Sequence, residues 1–289
     1  MKRSFFGCCL LALLIASCVG GKKKVNPFEK LTEEIDSVNI HHDSVAIDTL
    51  PPVEEIIPAT ADECFADFFY NFASDSRFQR KRIVSPISSY KGDKVIRTKR
   101  EDWEYDPLFS RDQFYTVIFD EEADMEKEKD LDVQSVQVDI IYLKPRTVKR
   151  YYFEKIKESW YLEAVNKEKL AHVKSDANTE DFFDFYERFS SDSVFQESRL
   201  QEPLAFVTVD PEDEFQILEA TLDDEQWFSF RPPLLQGKLT NVHYGQREEV
   251  DSNSKIIEFK GFGNGFSNTL YFERRNGLWK LVKFEDLSD

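Results

Sequence analysis

The sequence predicts an α+β protein made of two tandem copies of one domain, and three observations carry that prediction. Residues 65–87 (FADFFYNFASDSRFQRKRIVSPI) align without a gap on residues 182–204 (FFDFYERFSSDSVFQESRLQEPL). A second echo links YYFEKIKESWYL (151–162) to LYFERRNGLWKL (270–281), so each copy has a matched beginning and a matched end. Within each copy, helical spacing comes first and strand-like alternation follows. Internal similarity of this kind marks a duplication, and helices followed by a run of mostly antiparallel strands is the order of an α+β fold.

Each copy opens on an amphipathic helix. Phe65, Phe68, Phe69 and Phe72 fall at i, i+3, i+4 and i+7, and Phe182, Phe185, Tyr186 and Phe189 repeat the pattern, which places all four rings on one face. Large rings at that spacing read as a core face packed on a sheet. Ser74-Asp75-Ser76 and Ser191-Asp192-Ser193 then interrupt the helix. Their side-chain oxygens suit the cap of a second short helix, which Phe78 and Phe195 anchor and which Pro86 and Pro203 are expected to stop. Gln79 and Arg82 recur as Gln196 and Arg199. One reading makes them a ligand clamp, because a guanidinium binds carboxylates bidentately. The favoured reading is structural and pairs Arg82 with Asp67 or Asp75, and Arg199 with Asp184 or Asp192, because those acids recur together with the arginines.

Behind the helices the period shortens. Segments 114–119, 133–143, 148–156 and 160–165 in the first copy are rich in β-branched and aromatic residues, as are 204–209, 239–244, 256–262, 269–274 and 279–284 in the second. Asn276-Gly277 suits a tight hairpin turn because both residues tolerate positive φ. Lys157-Glu158 stands at the matching place in the first copy, so a different turn is expected there. The acidic run 120–132 lacks the central glycine and spacing of a calcium loop and contains Lys127 and Lys129; it reads as a solvated hairpin loop.

The N-terminus has another task. Lys2 and Arg3 precede an apolar run of residues 5–16 that is too short to span a bilayer, which takes roughly 20 residues. This is the pattern of a signal segment. Ile15-Ala16-Ser17-Cys18 resembles a bacterial lipobox, which makes residues 1–17 a lipoprotein signal peptide and Cys18 the lipidated N-terminus of the mature chain. Two or three acyl chains anchor stably where one is marginal. Residues 18–58 lack periodicity and end in Pro51-Pro52 and Pro58, reading as a flexible tether. Asp36-Ser37-Val38, Asp43-Ser44-Val45 and Asp48-Thr49-Leu50 resemble the Asp-Ser/Thr-apolar sites that Bacteroidetes O-glycosylate, making Ser37, Ser44 and Thr49 candidate sites. Of the four cysteines, Cys8 and Cys9 leave with the signal and Cys18 carries lipid, so only Cys64 remains and no internal disulfide is available. Cys64, next to Phe65, reads as a buried and inert thiol.

The net charge of −17 becomes more negative once Lys2 and Arg3 are removed. Such a field opposes nucleic acid, and no nucleic-acid partner is expected. No cofactor or metal is expected either: His41-His42 lies in the tether, where no fixed geometry holds ligands. Trp103 and Trp227 precede irregular Pro-containing stretches in both copies and, with His243, are candidate ligand-facing residues. Tyr115, Asp139, His243 and Tyr244 are the polar candidates on strands. None recurs between the copies as a set, and His243 and Tyr244, being adjacent on a strand, face opposite sides.

Two helices followed by a curved antiparallel sheet that closes on Tyr271-Phe272-Glu273, Asn276-Gly277, Trp279 and Leu281 resemble the nuclear-transport-factor-2-like (cystatin-like) cone fold. With the lipobox, the tether and the segment Asp-Ser-X-Phe-Gln-X-X-Arg-Ile/Leu, the chain is similar to the Bacteroidetes envelope family termed domain of unknown function 4348. The resemblance implies two tandem cone-like domains, over 59–173 and 174–289, each with N-terminal helices packed on a curved, mostly antiparallel sheet. It brings no established activity. The expectation is an envelope lipoprotein, held on the membrane by its N-terminal lipid and facing the periplasm, that acts as a non-enzymatic binding or scaffold module for a protein or small-molecule partner. The alternatives are an isomerase, cyclase or hydrolase working in one cone, in which a pocket beside His243 or Asp139 holds convergent polar groups, and a capture protein for glycans or small molecules.

Overall fold

The computed structural model describes Asp62 and residues 64–130, 132–170, 179–210, 213–247, 249 and 251–288. The signal segment, the tether, Cys18, Ser37, Ser44 and Thr49 lie outside the described residues.

The aromatic stripe forms helix α1 (Phe65–Ser74) in the first copy and α3 (Phe182–Ser191) in the second. Short helices α2 (Ser76–Lys81) and α4 (Ser193–Ser198) follow them. Asp75 caps α2 by accepting from the N–H groups of Arg77 and Phe78 at 2.7 and 3.1 Å, and Asp192 caps α4 by accepting from Phe195. Cys64 is the N-cap of α1, its sulfur accepting from the Asp67 N–H at 3.4 Å, and it is half-buried where full burial was expected. Asp181 holds the matching place on α3 and accepts from Phe183 and Asp184.

The strands of the first copy are β1 (Ile83–Lys91), β2 (Lys94–Thr98), β3 (Phe114–Phe119), β4 (Ser135–Tyr142), β5 (Thr147–Ile156) and β6 (Ser159–Lys169). The second copy supplies β7 (Leu200–Asp210), β8 (Asp213–Leu222), helix α5 (Asp224–Phe230), β9 (Lys238–His243), β10 (Ser254–Gly261), β11 (Ser267–Arg275) and β12 (Leu278–Asp286). The two sequence echoes pack on one another. The Phe153 ring of β5 meets the rings of Phe65, Phe68, Phe69 and Phe72 with centroids 5.1–5.9 Å apart, while Phe272 of β11 meets Phe182, Phe185, Tyr186 and Phe189 at 5.4–6.4 Å. Trp160 and Trp279 each stand edge-on to the first ring of their helix, both at 5.0 Å. Edge-to-face pairs of this kind add about 0.5–1.5 kcal/mol to the burial of each ring.

Two six-stranded sheets carry these helices, with orders β2-β1-β6-β5-β4-β9 and β8-β7-β12-β11-β10-β3. Pairing is antiparallel except where β1 lies parallel to β6 and β7 parallel to β12. Each sheet therefore takes its last strand from the other copy. β3 pairs with β10, Phe119 opposite Ile256, and β9 pairs with β4, His243 opposite Gln137. The exchanged strands meet at Thr116 and Thr240, the third residue of each. Each threonine N–H donates to the other's hydroxyl (2.6 and 2.9 Å), and each hydroxyl donates to the other's carbonyl (2.7 and 2.9 Å). This reciprocal set marks a local two-fold axis. The copies thus do not fold as two separate sheets, and the described residues from Asp62 to Ser288 belong to one compact unit; the boundary expected at 173/174 lies outside the described residues.

Four local expectations are corrected. The short helices end at Lys81 and Ser198, before Pro86 and Pro203, which sit inside β1 and β7 after cis peptide bonds. Both prolines fall where the parallel pairing breaks register, between Ile83 and Ser88 and between Leu200 and Ala205, so neither removes a ladder hydrogen bond. Lys157 and Glu158 adopt φ of 50° and 63°, the left-handed pair that Asn276 (53°) and Gly277 (79°) also adopt; the two turns match. The acidic run forms a 3-10 helix, Glu122–Lys129, joining strands of different sheets, and its Asp124 is buried against Lys127 and the Arg247 N–H. Strands β1, β2 and β8 and helix α5 were not expected in the sequence.

Candidate functional site

The duplicated polar motif is internal in both copies. Arg82 binds Asp62 at 2.6 Å and donates to the Trp160 carbonyl, and Asp62 accepts from the Trp160 N–H at 3.1 Å. In the second copy Arg199 binds Glu180 at 2.9 Å and the Trp279 carbonyl at 3.1 Å, and Glu180 accepts from the Trp279 N–H. The pairing is structural as favoured, but the acids precede the helices; Asp67, Asp75, Asp184 and Asp192 are not the partners. Gln79 donates to the Phe72 and Asp106 carbonyls, and its oxygen accepts from Trp103 Nε1 at 2.9 Å. Gln196 donates to the Phe189 carbonyl and accepts from Trp227 Nε1 at 3.1 Å and from Arg231. Trp103 and Trp227 therefore anchor this motif through their indole N–H groups, and Trp227, 0% exposed, is not ligand-facing.

What the copies do not share lies at the mouth of each cone, beside the first turn of the aromatic helix. The second mouth is a cavity of 150 Å³ with Ile118, Ile141, Leu170, Phe182, Phe183 and Trp279 as apolar wall. Its polar groups are Asp120, Asp139, Arg150, Asp181, Glu249, Ser252, Lys255 and Arg274. The first copy supplies Ile118, Asp120, Asp139, Ile141, Arg150 and Leu170 to its wall, Ile118 standing on the exchanged strand β3. Asp139, 3% exposed, accepts from Gln137 at 3.0 Å on one oxygen, and its other oxygen lies 3.3 Å from both Arg150 and His243 Nε2. Arg150 also binds Glu168 at 2.6 Å. Lys255 binds Asp120, whose other oxygen accepts from the Glu249 N–H at 2.6 Å, and Asp181 takes Arg146 on both oxygens at 2.8 and 3.0 Å. His243 stands behind Asp139, bonded to it and to Asn241 at 3.1 Å, and does not line the cavity. Arg274 differs from the other cations. It lies over Trp279 at 5.2 Å and donates to Asn253 Oδ1, the Asp251 carbonyl and the Glu180 carbonyl, so its hydrogen-bond partners among the described residues are neutral acceptors.

The first mouth occupies the equivalent place by α1 and has another chemistry. Its cavity of 350 Å³ is lined by Phe65, Phe69, Tyr70, Tyr115, Val242, Tyr244 and Phe262, with Ala66, Asp67, Gly261 and Gly263. Val242 and Tyr244 correspond by register to Ile118 and Asp120 of the second mouth. Burial pushes the Tyr115 and Tyr244 hydroxyls well above their ordinary titration range, and the charges of Glu128 and Glu258 push the same way. Glu258, on β10, is itself raised by burial. Sequence reasoning named Tyr115, Asp139 and Tyr244 and looked for a pocket beside His243 or Asp139 as the mark of the catalytic alternative, and a cavity does open at Asp139; it missed the rest of each lining, since each cavity is assembled from strands whose sheet membership is not written in their periodicity. Among the described residues no cluster of three or more His, Cys, Asp or Glu side chains is placed to hold a metal, and no helix is long and apolar enough to cross a membrane.

The architecture has a solved counterpart. A crystal structure described as an NTF2-like protein from Bacteroides fragilis shares 48% sequence identity with this chain and superposes with a TM-score of 0.75, over 79% of this chain and 98% of its own. Comparison with curated proteins found no match. The model of a domain of unknown function, DUF4348, matches residues 47–286, and on that match the protein belongs to the DUF4348 family, with an NTF2-like fold.

Proposed function

We propose that the protein is a lipid-anchored, periplasm-facing envelope protein that binds a small polar molecule without transforming it, using the charged second mouth. The observation that carries this reading is the pairing of the mouth's buried aspartates. A general base needs a lone pair aimed at the substrate, whereas the oxygens of Asp139 are engaged by Gln137, Arg150 and His243, and those of Asp120 by Lys255 and the Glu249 N–H. Such a set recognises by shape and by fixed dipoles. Arg274, over Trp279 and bonded to neutral acceptors, is the group suited to meet a ligand carboxylate or other anion. Anchoring rests on Cys18 in Ile15-Ala16-Ser17-Cys18.

The test is a thermal-shift and calorimetric screen of the mature protein with small organic acids and glycans. Binding that is lost in Arg274→Ala, with the small molecule recovered unchanged, is the expected result. Turnover that disappears in Asp139→Asn would sink the non-enzymatic reading in favour of a cone-pocket isomerase, cyclase or hydrolase. Cys18→Ser should release the protein from the membrane fraction, and intact mass of the extracted protein should show the acyl chains.

A further inference from the structure

The geometry points to a second, separate binding site at the first mouth, for a neutral, flat, apolar molecule carrying a hydrogen-bond-accepting oxygen, with Tyr244 and Tyr115 as the donors. The walls are aromatic on several sides. Phe65 stands edge-on to Tyr244 at 6.2 Å, Tyr115 stacks on Phe109 at 4.9 Å and lies edge-on to Phe262 at 6.5 Å, and Tyr70 lies against Phe262 at 5.0 Å across the rim. A cavity of 350 Å³ lined in this way is within the range of small-molecule sites.

The donors are the more specific observation. Tyr244 is only 7% exposed, both phenols line the cavity, and among the described residues neither hydroxyl has a hydrogen-bond partner. Neither oxygen belongs to the fully enclosed, unpartnered polar atoms of the fold, so both hydroxyls are reached from the cavity and can donate to a molecule held there. The equivalent place in the second mouth shows the contrast: there Asp120 is satisfied from within the protein, by Lys255 and the Glu249 N–H. Raised titration keeps both phenols protonated, hence donors, at neutral pH. The nearby acids select against an anion. Asp67 lines the cavity and Glu128 and Glu258 act on both tyrosines, with Lys260 pairing with the two glutamates. The glycine of the β10–β11 turn fixes the rim: Gly263 has φ +73°, and a Cβ there would lie 2.7 Å from Tyr70 Cε2.

This site shares no lining residue with the charged mouth, so its failure and that of the reading above are separable. The test titrates the mature protein with three probes of one shape: 2-acetylnaphthalene, 2-ethylnaphthalene and 2-naphthoate, followed by NMR and calorimetry. The ketone should bind about three- to tenfold more tightly than the ethyl compound, the difference one neutral hydrogen bond makes, and the carboxylate should bind weakest. Tyr244→Phe and Tyr115→Phe should each weaken the ketone by a similar factor, leave the ethyl compound unchanged and leave the thermal midpoint where it was. Ala66→Phe, which installs the ring that Phe183 provides in the second copy, should block both neutral probes. Equal binding of ketone and ethyl compound, absence of binding by either, or a lowered midpoint in the two Tyr→Phe variants would overturn the proposal.

Discussion

Replacing Arg82 by leucine separates the two readings of the duplicated arginine, because a ligand clamp and an internal strut fail differently. The Arg82 and Asp62 side chains are 8% and 11% exposed, their nitrogen and oxygen are 2.6 Å apart, and the guanidinium also lies 5.1 Å from the Phe78 ring centroid. Removing one partner of a buried pair leaves the other charge desolvated, which costs about 3–5 kcal/mol. In a unit of this size 1 kcal/mol moves the melting midpoint by about 2–4 °C, so Arg82→Leu should lower it by roughly 6–20 °C. Arg199 and Glu180 are 15% and 21% exposed, and water reaches the orphaned carboxylate more easily. Arg199→Leu should therefore cost less, about 2 kcal/mol. The double change Asp62→Leu with Arg82→Leu should recover part of the loss, since no charge is left behind. Urea denaturation followed by far-UV circular dichroism supplies the numbers. A loss under about 1 kcal/mol for Arg82→Leu, or a larger loss for Arg199→Leu, would refute the argument.

Three further outcomes follow from the same geometry. Lys157→Asn with Glu158→Gly gives the first-copy turn the residues that tolerate its positive φ, and thermal melting should show a gain of about 1 kcal/mol, with a matching loss for Asn276→Lys with Gly277→Glu. Gln196→Leu strips the buried Trp227 N–H and the Phe189 carbonyl of their partners and should cost about 2–3 kcal/mol in urea denaturation. Burial raises the Glu258 carboxyl above its ordinary value of 4.5, so its protonated form is favoured in the fold; the stability this group supports is present below the unfolded value and is lost as pH rises through the higher folded one. Glu258→Gln should thus gain stability over the wild type progressively as pH rises above the ordinary value of 4.5, and a difference that does not change with pH would exclude the assignment.

The duplication made the scaffold legible. The stripe from Phe65 to Phe72 and the closing echo with Phe153 and Trp160 turned out to be the two faces of one contact, repeated as Phe182 to Phe189 on Phe272 and Trp279. Recurrence pointed to Asp67 and Asp75 as partners for Arg82, because both acids reappear with the arginine in the second copy. The partner is Asp62, ahead of the helix, where it also reaches the Trp160 N–H from β6. The Gln79–Trp103 and Gln196–Trp227 bonds span 24 and 31 residues, and their signal was the tryptophan that follows each motif glutamine at a comparable distance. The exchange of β3 and β9 left no trace of that kind. Alternation identifies a strand and its buried face, but β3 and β9 carry threonine at the same position and either sheet edge satisfies their backbones, so the choice of edge is made by tertiary contacts.

That choice explains why function is better sought where the copies differ. In an unexchanged pair each cone would be lined by its own strands, and similar copies would make similar pockets. Here Val242 and Tyr244 of the second copy line the first mouth, while Ile118 and Asp120 of the first copy line the second. Substitution at one strand end therefore reshapes the neighbouring copy's cavity and leaves its own helix packing intact. The Phe stripe, the Gln–Trp anchor and the Arg–acid strut hold both cones to one geometry. The exchanged ends, placed by Thr116 and Thr240 on either side of the local axis, allow one mouth to hold paired charges and the other to present two phenols. Binding at either mouth also clamps strands of both copies together, so a ligand of either site should stabilise the whole unit, not a single cone.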